Sequence, residues 1–588
     1  MTRVSPGGLP FEPEFVDVDV LVVGSGGAGL MAAYAARAAD PGCSVAVMSK
    51  GLIGRSGCSI MAQGYNAAIG PEDSPAAHFE DLVRAGLFLS DQDLAWQLAE
   101  TAPEVIRLLE TEIGCFFDRS PDGRVEVSPF PGQSRPRKVH RGHITGLEIV
   151  TRLREHGERA GWRELVDVRA LALLRGPNGE ARGIVGLDTR RGVGVVVRAP
   201  AVVLAAGGGV AAMYRIADGA REKTGDGVAI AYRAGLAVRD MEFVQFLSVG
   251  LVAPGSRVTG ILLEEALRGS GGYLLNGAGE RFMARYDPER MERAPRDVVA
   301  RACYAEILAG RGTANDAVLI DVRHLGADKV EATFPDLVSR SRRAGRDLAR
   351  EPVEIAPAAH IQIGGVEIGP DGTTAIDGLF VAGEDAGGVH GATWQGGNGI
   401  AESTVFGLLA GRRAAIHAHS VGWPPAGRGA DAVDAQAADV LRAAYSPLGR
   451  DTGPAPWQLW EQLREVMWWR VGLGRDAAGL AAAADRLAEI ADLARGVAVP
   501  APAAVNLAWQ EALDLDNALL VARLVVASAA AREETRGMQI RTDFPERDDD
   551  AWLRSVVVRS IGGRQQVELR PVSFPRLRPE PPVAATAR

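Results

Sequence analysis

The sequence predicts an α/β protein whose parallel strands end in glycine turns, followed by a helical C-terminal part. Three observations predict it. "VDVDVLVVGSGGAGLMAAYAARAA" (residues 16–39) runs from apolar residues through glycines into an alanine-rich helical stretch. Two further apolar runs, "APAVVLAAGGG" (199–209) and "IDGLFVAGEDAGG" (376–388), also end in glycines. Residues 455–535 are rich in Ala, Leu, Arg and Glu, with apolar residues at helical spacing and little β signal.

In the first junction, Val18 to Val23 make a run short enough for a buried parallel strand. Gly24 allows the tight turn. Gly26 lets a pyrophosphate reach the helix N-terminus, and Gly29 lets helix and strand pack closely. The order strand, glycine turn, helix is the dinucleotide fingerprint. The second strand, "CSVAVMSKG", ends in Ser49 and Lys50 where an acid for the ribose would be expected, which weakens a nicotinamide reading. Three glycine junctions spread over the chain instead suit FAD threaded through a domain in two sequence halves, with Glu384 just after the last strand.

Composition sets the bounds. At 588 residues the chain exceeds one core and predicts several domains. The formal net charge of −9 argues against a nucleic-acid partner. The four cysteines (Cys43, Cys58, Cys115, Cys303) contain no CxxC pair, so structural zinc and iron–sulfur sites are not expected within the chain, and the usage suits a reducing compartment. No signal-peptide pattern and no apolar run of about 18 residues is present, which predicts a cytoplasmic protein that meets a membrane only through a partner. His140, His143 and His390 lack metal-ligand spacing. "RDDD" (547–550) reads as a solvated charged turn.

With these stretches on the page, the chain resembles the flavoprotein subunits of succinate dehydrogenase and fumarate reductase, a family that includes L-aspartate oxidase. The match is carried by "VVGSGGAGL", "MAQGYNAAIG", "KTGDGVAIAYRAG", "MEFVQF", "EEALRGSGGYLLNGAGERFM", "RDVVARA", "IGGVEI", "FVAGEDAGGVHGA", "GGNGIAESTVFGLLAG" and "RGMQIRTDFPERDD", in family order from about residue 18 to 555. The resemblance implies an α/β FAD-binding Rossmann-like domain in two halves (16–242 and 355–425) and an inserted α+β capping domain (243–354). A C-terminal helical domain (426–567) follows, between an N-terminal arm (1–15) and a proline-rich, disordered tail (568–588). It places FAD-binding positions at Gly24, Gly26, Gly29, Ser49, Lys50, Ser56, Cys58, Gln63, Gly64, Ala206, Gly207, Asp226, Glu384, Gly397, Asn398 and Ser403.

On the proton side, the resemblance implies that an arginine exchanges a proton with the carbon next to the one that exchanges hydride. That arginine falls on Arg296, fed by Glu265 and Arg268, whose spacing of three suits one side of a helical turn. An arginine in water is a poor acid, so the role needs neighbouring cations and exclusion of water.

On the substrate side the match splits. The family histidine that precedes the paired glycines is His360, in "HIQIGG". Three other family contacts are replaced: a histidine by Leu247, a threonine by Glu264 and a carboxylate-clamping arginine by Trp394. Losing an arginine–carboxylate pair weakens a C4 dicarboxylate roughly ten- to a hundred-fold. The remaining residues can bind one carboxylate, and the other end of the substrate meets an indole, a leucine and a glutamate. Two readings of Trp394 stand side by side: a specificity residue, or an indole packed in the core. His360 likewise reads as a ligand or as a core histidine.

Cys58 takes the place of the histidine that links FAD covalently in many members, and Ser59 that of the following threonine, so non-covalent FAD is expected, with a cysteinyl link as the alternative. The function expected is hydride transfer between flavin and the α,β carbons of a carboxylic acid that is not an ordinary C4 dicarboxylate. The resemblance leaves room for a separate iron–sulfur electron-transfer subunit. The runner-up is a self-contained amino-acid oxidase using oxygen or fumarate; a non-catalytic assembly protein would have no need of the arginine relay.

Overall fold

The computed structural model describes residues 11–256, 258–263, 266–423 and 430–579. Two sheets position the site. In chain order their strands are β1 (Val20–Val23), β2 (Val45–Ser49), β3 (Arg163–Val166), β4 (Ala201–Leu204), β5 (Val244–Leu251), β6 (Tyr273–Leu275), β7 (Val318–Asp321), β8 (Val353–Gln362) and β9 (Leu379–Val381). The first sheet runs β9-β4-β1-β2-β3, all neighbours parallel. Every residue of β1, β2, β4 and β9 is buried, as unbroken Val, Leu and Ala runs require when helices or a second layer cover both faces. Strand β9 joins from far along the chain, so this domain is indeed assembled from two sequence halves.

The second sheet, antiparallel in the order β5-β8-β7-β6, is the cap. Its closing strand β8 straddles the boundary expected at 355 and carries the chain back to the first domain. A further four-stranded sheet pairs Glu14–Asp17 with Val193–Arg198, so residues expected in the N-terminal arm form an edge strand instead.

Among the helices of the first two domains, those that bear on the site are α1 (Gly27–Ala39), α2 (Thr145–Ala160), α3 (Asp226–Arg233), α4 (Ala266–Gly269), α5 (Arg296–Leu308) and α6 (Asn398–Val421). Helices α1 and α6 pack backbone to backbone: a Cβ on Gly407 would lie 2.4 Å from Ala28 O, and one on Gly411 2.2 Å from Ala32 O. The alanine-rich face of α1 and the glycines of α6, both spaced by four, are one contact seen from two sides. The pairing places the start of each helix beside β1.

The C-terminal part contains α7 (Pro456–Arg470), α8 (Ala477–Ala494) and α9 (Leu507–Ala531), which pack on one another as the helical periodicity predicts. It also contains an antiparallel hairpin, β10 (Arg554–Ile561) and β11 (Arg564–Pro571). The tail expected to be disordered from 568 is therefore corrected over its first twelve residues. Strand β11 runs through the boundary, and beyond it the Arg576 and Leu577 N–H groups both donate to Gln92 Oε1 at 3.0 Å. Proline content misled here, because the hydrogen-bond partners lie 484 and 485 residues apart in the chain. Residues 580–588 lie outside the described residues.

"RDDD" is more than a solvated turn. Asp548 caps the helical turn Asp549–Trp552, and Asp549 pairs at 2.8 Å with the fully buried Arg536. Among the described residues no helix is long and apolar enough to cross a membrane.

Candidate active site

The turn from β1 into α1 is built for close approach. Gly24 has φ +111°, and a Cβ there would sit 2.0 Å from Ala205 O of the strand end beside it. A Cβ on Gly29 would sit 2.0 Å from Gly24 O, so this glycine packs helix on strand as its place in the fingerprint predicts. Gly26 gives α1 no side-chain cap, while the Gly27 N–H donates to Ser59 Oγ at 3.0 Å. A cleft of about 840 Å³, counting space open to solvent, runs from this turn along Ser49, Lys50, Ser56, Cys58 and Ser59 to Ala206, Gly207, Lys223, Glu384 and Ser403. A glycine-lined, uncapped helix start and a long groove with three strand–glycine junctions along it fit FAD.

Most of the expected cofactor positions reach this cleft. Gly24, Gly26, Ser49, Lys50, Ser56, Cys58, Ala206, Gly207, Asp226, Glu384 and Ser403 line it; Gly29, Gln63, Gly64, Gly397 and Asn398 lie outside that lining. Asn398 is held by protein partners, accepting from Asn66 Nδ2 at 3.1 Å and meeting His78 Nε2 at 2.9 Å. A Cβ on Gly397 would overlap Asn66 Oδ1 at 2.2 Å, and one on Gly64 would meet Lys138 Cγ at 2.5 Å. Both glycines thus pass close to neighbouring side chains.

Lys50 and Asp226 also tie the cleft wall to the C-terminal helices. Lys50 Nζ lies 2.7 Å from Asp226 and 3.1 Å from Asp514 of α9. Burial would raise the Asp226 carboxyl, but Lys50 and Arg169 outweigh it and hold the group down at about 2. Two residues that sequence reasoning missed stand beside the cleft. Asp385, fully buried, accepts the N–H groups of Ala206 (2.5 Å), Gly207 (3.3 Å) and Gly208 (3.0 Å), which fixes the second glycine turn. Burial pushes it up to about 6 against those donors. Lys223 pairs with Glu384 at 2.5 Å, while Glu384 also accepts the Gln362 N–H at 3.0 Å. Burial alone would lower the Lys223 ammonium, but the Glu384 carboxylate holds it above its ordinary range. Asp385 adjoins Glu384 in sequence, and that adjacency was the one signal available.

Burial pushes the Cys58 thiol up, and its sulfur accepts the Ala220 N–H at 3.1 Å. All four cysteines are free thiols.

Strand β8 delivers His360 from an irregular register. Ala359 and Ile361 pair with the consecutive residues Phe246 and Gln245 of β5, so His360 is the extra residue of a β-bulge, which re-aims its side chain. Its Nδ1 lies 2.8 and 3.0 Å from the two oxygens of Asp218. The Trp394 ring is 5.1 Å away at 56°. The Trp394 backbone N–H donates to Gln245 Oε1 at 3.2 Å. Its indole packs on a small cluster of Leu89, Phe243, Ile361, Ile363 and Ala392. The indole Nε1 is buried with no hydrogen-bond partner among the described residues. Leu247 is buried opposite Ala358, two residues before His360. The structure thus brings His360, Trp394 and Leu247 to one place.

Arg296 opens α5, a helix that packs on β5 and β8. Arg268, buried in α4, donates to the carbonyls of Glu292 and Ala294, in the segment that leads into Arg296. Glu264 and Glu265 lie outside the described residues. His390 pairs with Glu402 at 3.1 Å and His140 with Asp118 at 2.9 Å. Among the described residues no group of three or more His, Cys, Asp or Glu could hold a metal ion.

The parallel sheet with its glycine-lined cleft and the histidine-bearing cap define an FAD-dependent oxidoreductase. Residues 19–400 match the FAD binding domain family, and residues 460–585 the fumarate reductase flavoprotein C-terminal family. The chain is 41% identical to a fumarate reductase (CoM/CoB) subunit of Methanothermobacter marburgensis, over 93% of this chain and 98% of that protein. It is 36% identical to the L-aspartate oxidase of Streptomyces coelicolor, over 92% of each. An E. coli quinol fumarate reductase chain superposes with a TM-score of 0.88 at 32% identity, over 97% of this chain and 99% of that one. The chain belongs to the succinate dehydrogenase and fumarate reductase flavoprotein family.

Proposed function

We propose that this flavoprotein exchanges hydride across the α,β bond of a carboxylic acid other than an ordinary C4 dicarboxylate. One observation carries the reading: the indole of Trp394 packs beside His360, and Leu247 is buried on the strand paired with β8, at two positions where the family resemblance implies carboxylate contacts. Bound FAD supplies hydride transfer at one carbon. Among the protein groups, Arg296 holds or delivers the proton at the neighbouring carbon, with Arg268 tethering the segment before it. His360 takes one carboxylate, and Trp394 and Leu247 form an apolar wall for the rest of the substrate. Glu265 and Glu264 keep their proposed relay and specificity roles on the strength of the motif alone.

FAD is held without a covalent bond in this reading, because burial keeps the Cys58 thiol protonated and a protonated thiol is a poor nucleophile. Acid precipitation should then release all of the flavin; yellow colour retained by the precipitate would assign Cys58 as a linker. A separate electron-transfer protein of the iron–sulfur type fits the Methanothermobacter relative's being one subunit of its fumarate reductase. It also fits an exposed apolar set flanking the Cys58 end of the cleft: Met61, Ile144 and Leu147, where the turn Ser59–Met61 packs on α2. Any membrane association would come through such a partner.

The test is anaerobic re-oxidation of the reduced flavin, read as the return of its yellow absorbance, by fumarate and a panel of unsaturated monocarboxylates. Poor fumarate turnover by the wild type, improved by Leu247→His with Trp394→Arg, is the expected result. Robust wild-type fumarate reduction would leave Trp394 as a packing residue and place the second carboxylate elsewhere.

A further inference from the structure

We propose that Asp218 is the positioning residue that sets what His360 can bind. The inference rests on the reading above that His360 receives the substrate's carboxylate. Asp218 belongs to the loop between Tyr214 and α3, and the loop is stitched to the bulged strand: Ala359 N–H donates to Ile216 O at 3.0 Å, and Asp218 N–H to Ala359 O at 3.2 Å. The carboxylate is therefore delivered by the backbone next to the ring that it holds. Its side chain is 9% exposed, and both oxygens face Nδ1.

A carboxylate has only acceptors, so Nδ1 must carry the hydrogen. That fixes the ring by its far side and leaves Nε2 as the atom turned away from Asp218. In its protonated form Nε2 donates a charge-assisted hydrogen bond to an anion, and Asp218 balances the charge left on the ring. At the usual arginine position this chain has a neutral indole that packs on the same imidazole. The Asp218–His360 pair thus supplies the cationic donor at this end of the site while adding no net charge to it, which suits a single carboxylate and not a dianion.

The same loop also reaches the cofactor cleft. Ala220 N–H donates to Cys58 Sγ and Lys223 pairs with Glu384, so loop, ring and cleft are linked by direct contacts. Lys223 and Glu384 satisfy each other, which leaves Asp218 for the ring.

Asp218→Asn tests the assignment, because a neutral amide keeps the side chain's shape but cannot balance the charge of a ring that donates from both nitrogens. Crotonate and fumarate would be titrated against the flavin absorbance of the FAD-loaded wild type, Asp218→Asn, Asp218→Glu, His360→Ala and the double variant His360→Ala/Asp218→Asn. We expect Asp218→Asn to raise the Kd for crotonate about 10- to 100-fold with FAD content and thermal midpoint little changed. The Glu variant should recover part of the affinity, and the double variant should bind no more weakly than His360→Ala. An unchanged Kd in Asp218→Asn, or losses that add in the double variant, would overturn the positioning role. If His360→Ala itself leaves both Kd values unchanged, it is the carboxylate-binding reading of His360 that fails.

Discussion

At the scale of single residues, one irregularity in a strand shapes the candidate site. His360 occupies a bulge, and a bulge directs one side chain where the regular alternation of a strand would not. Trp394 fills the space beside it and leaves its indole N–H without a partner among the described residues, a polar atom that a substrate acceptor could satisfy. Arg296 is the residue on which turnover should depend most. Arg296→Ala is expected to lower kcat at least about 100-fold, the usual worth of a positioned acid or base, with FAD content unchanged. Steady-state rates alongside the flavin-to-protein absorbance ratio check this. A variant that keeps a tenth of the wild-type rate would remove Arg296 from the proton path.

Single elements show why the glycines cluster where they do. Gly407 and Gly411 bring α6 to within backbone contact of α1, and that contact sets the position of both helix starts at the cleft. Gly411→Val should destabilise the protein by about 1–3 kcal/mol or more, since Cβ atoms cannot approach a carbonyl oxygen at 2.2 Å and a helix must shift. Because α1 carries the glycine turn, FAD should be lost along with stability. Thermal unfolding and flavin fluorescence on gel filtration would measure both. Retained FAD at an unchanged midpoint would mean that the helices separate without moving the turn. Neither motif alone reveals the α1–α6 contact. The alanines at 28 and 32 and the glycines at 407 and 411 each read as helix formers or breakers until they face each other.

Over the whole molecule, the C-terminal helices are tied to the FAD-binding domain by buried charge. Lys50 and Arg169 meet Asp226 at the start of α3 and Asp514 on α9. With its carboxyl held at about 2 against an ordinary 3.8, Asp226 contributes stability above pH 4 that is lost as pH falls through 2. The shift corresponds to roughly 2 kcal/mol. Asp226→Asn should therefore lower the thermal midpoint at pH 7, and the difference from wild type should shrink as pH falls from 4 towards 2. Thermal scans across that range check it; a difference that persists at pH 2 would assign the effect to packing. Removing one partner leaves Lys50 and Arg169 facing only Asp514, which adds to the loss at neutral pH.

The sequence by itself determined the FAD-binding fold, its division into two halves and the place of the cap. The fold and its two halves rest on local patterns, apolar runs of strand length, glycines at turns that exclude Cβ and helical periodicity, while the cap follows from the resemblance to the family. The resemblance also singled out Arg296, Arg268, His360 and Trp394 as candidates, since each falls in a motif whose neighbours are close in the chain. Tertiary structure alone decided the rest. Asp218 is 142 residues from His360, Lys223 is 161 from Glu384, and Asp514 is 464 from Lys50. No spacing rule links residues so far apart, and a lone acidic side chain reads as a solvated surface group until its partner is known. The strand through 564–571 and the docking of Arg576 and Leu577 on Gln92 were hidden for the same reason. Short-range sterics write the turns and helices into the sequence. Pairing of buried charges depends on which segments the fold brings together, and only the assembled molecule states it.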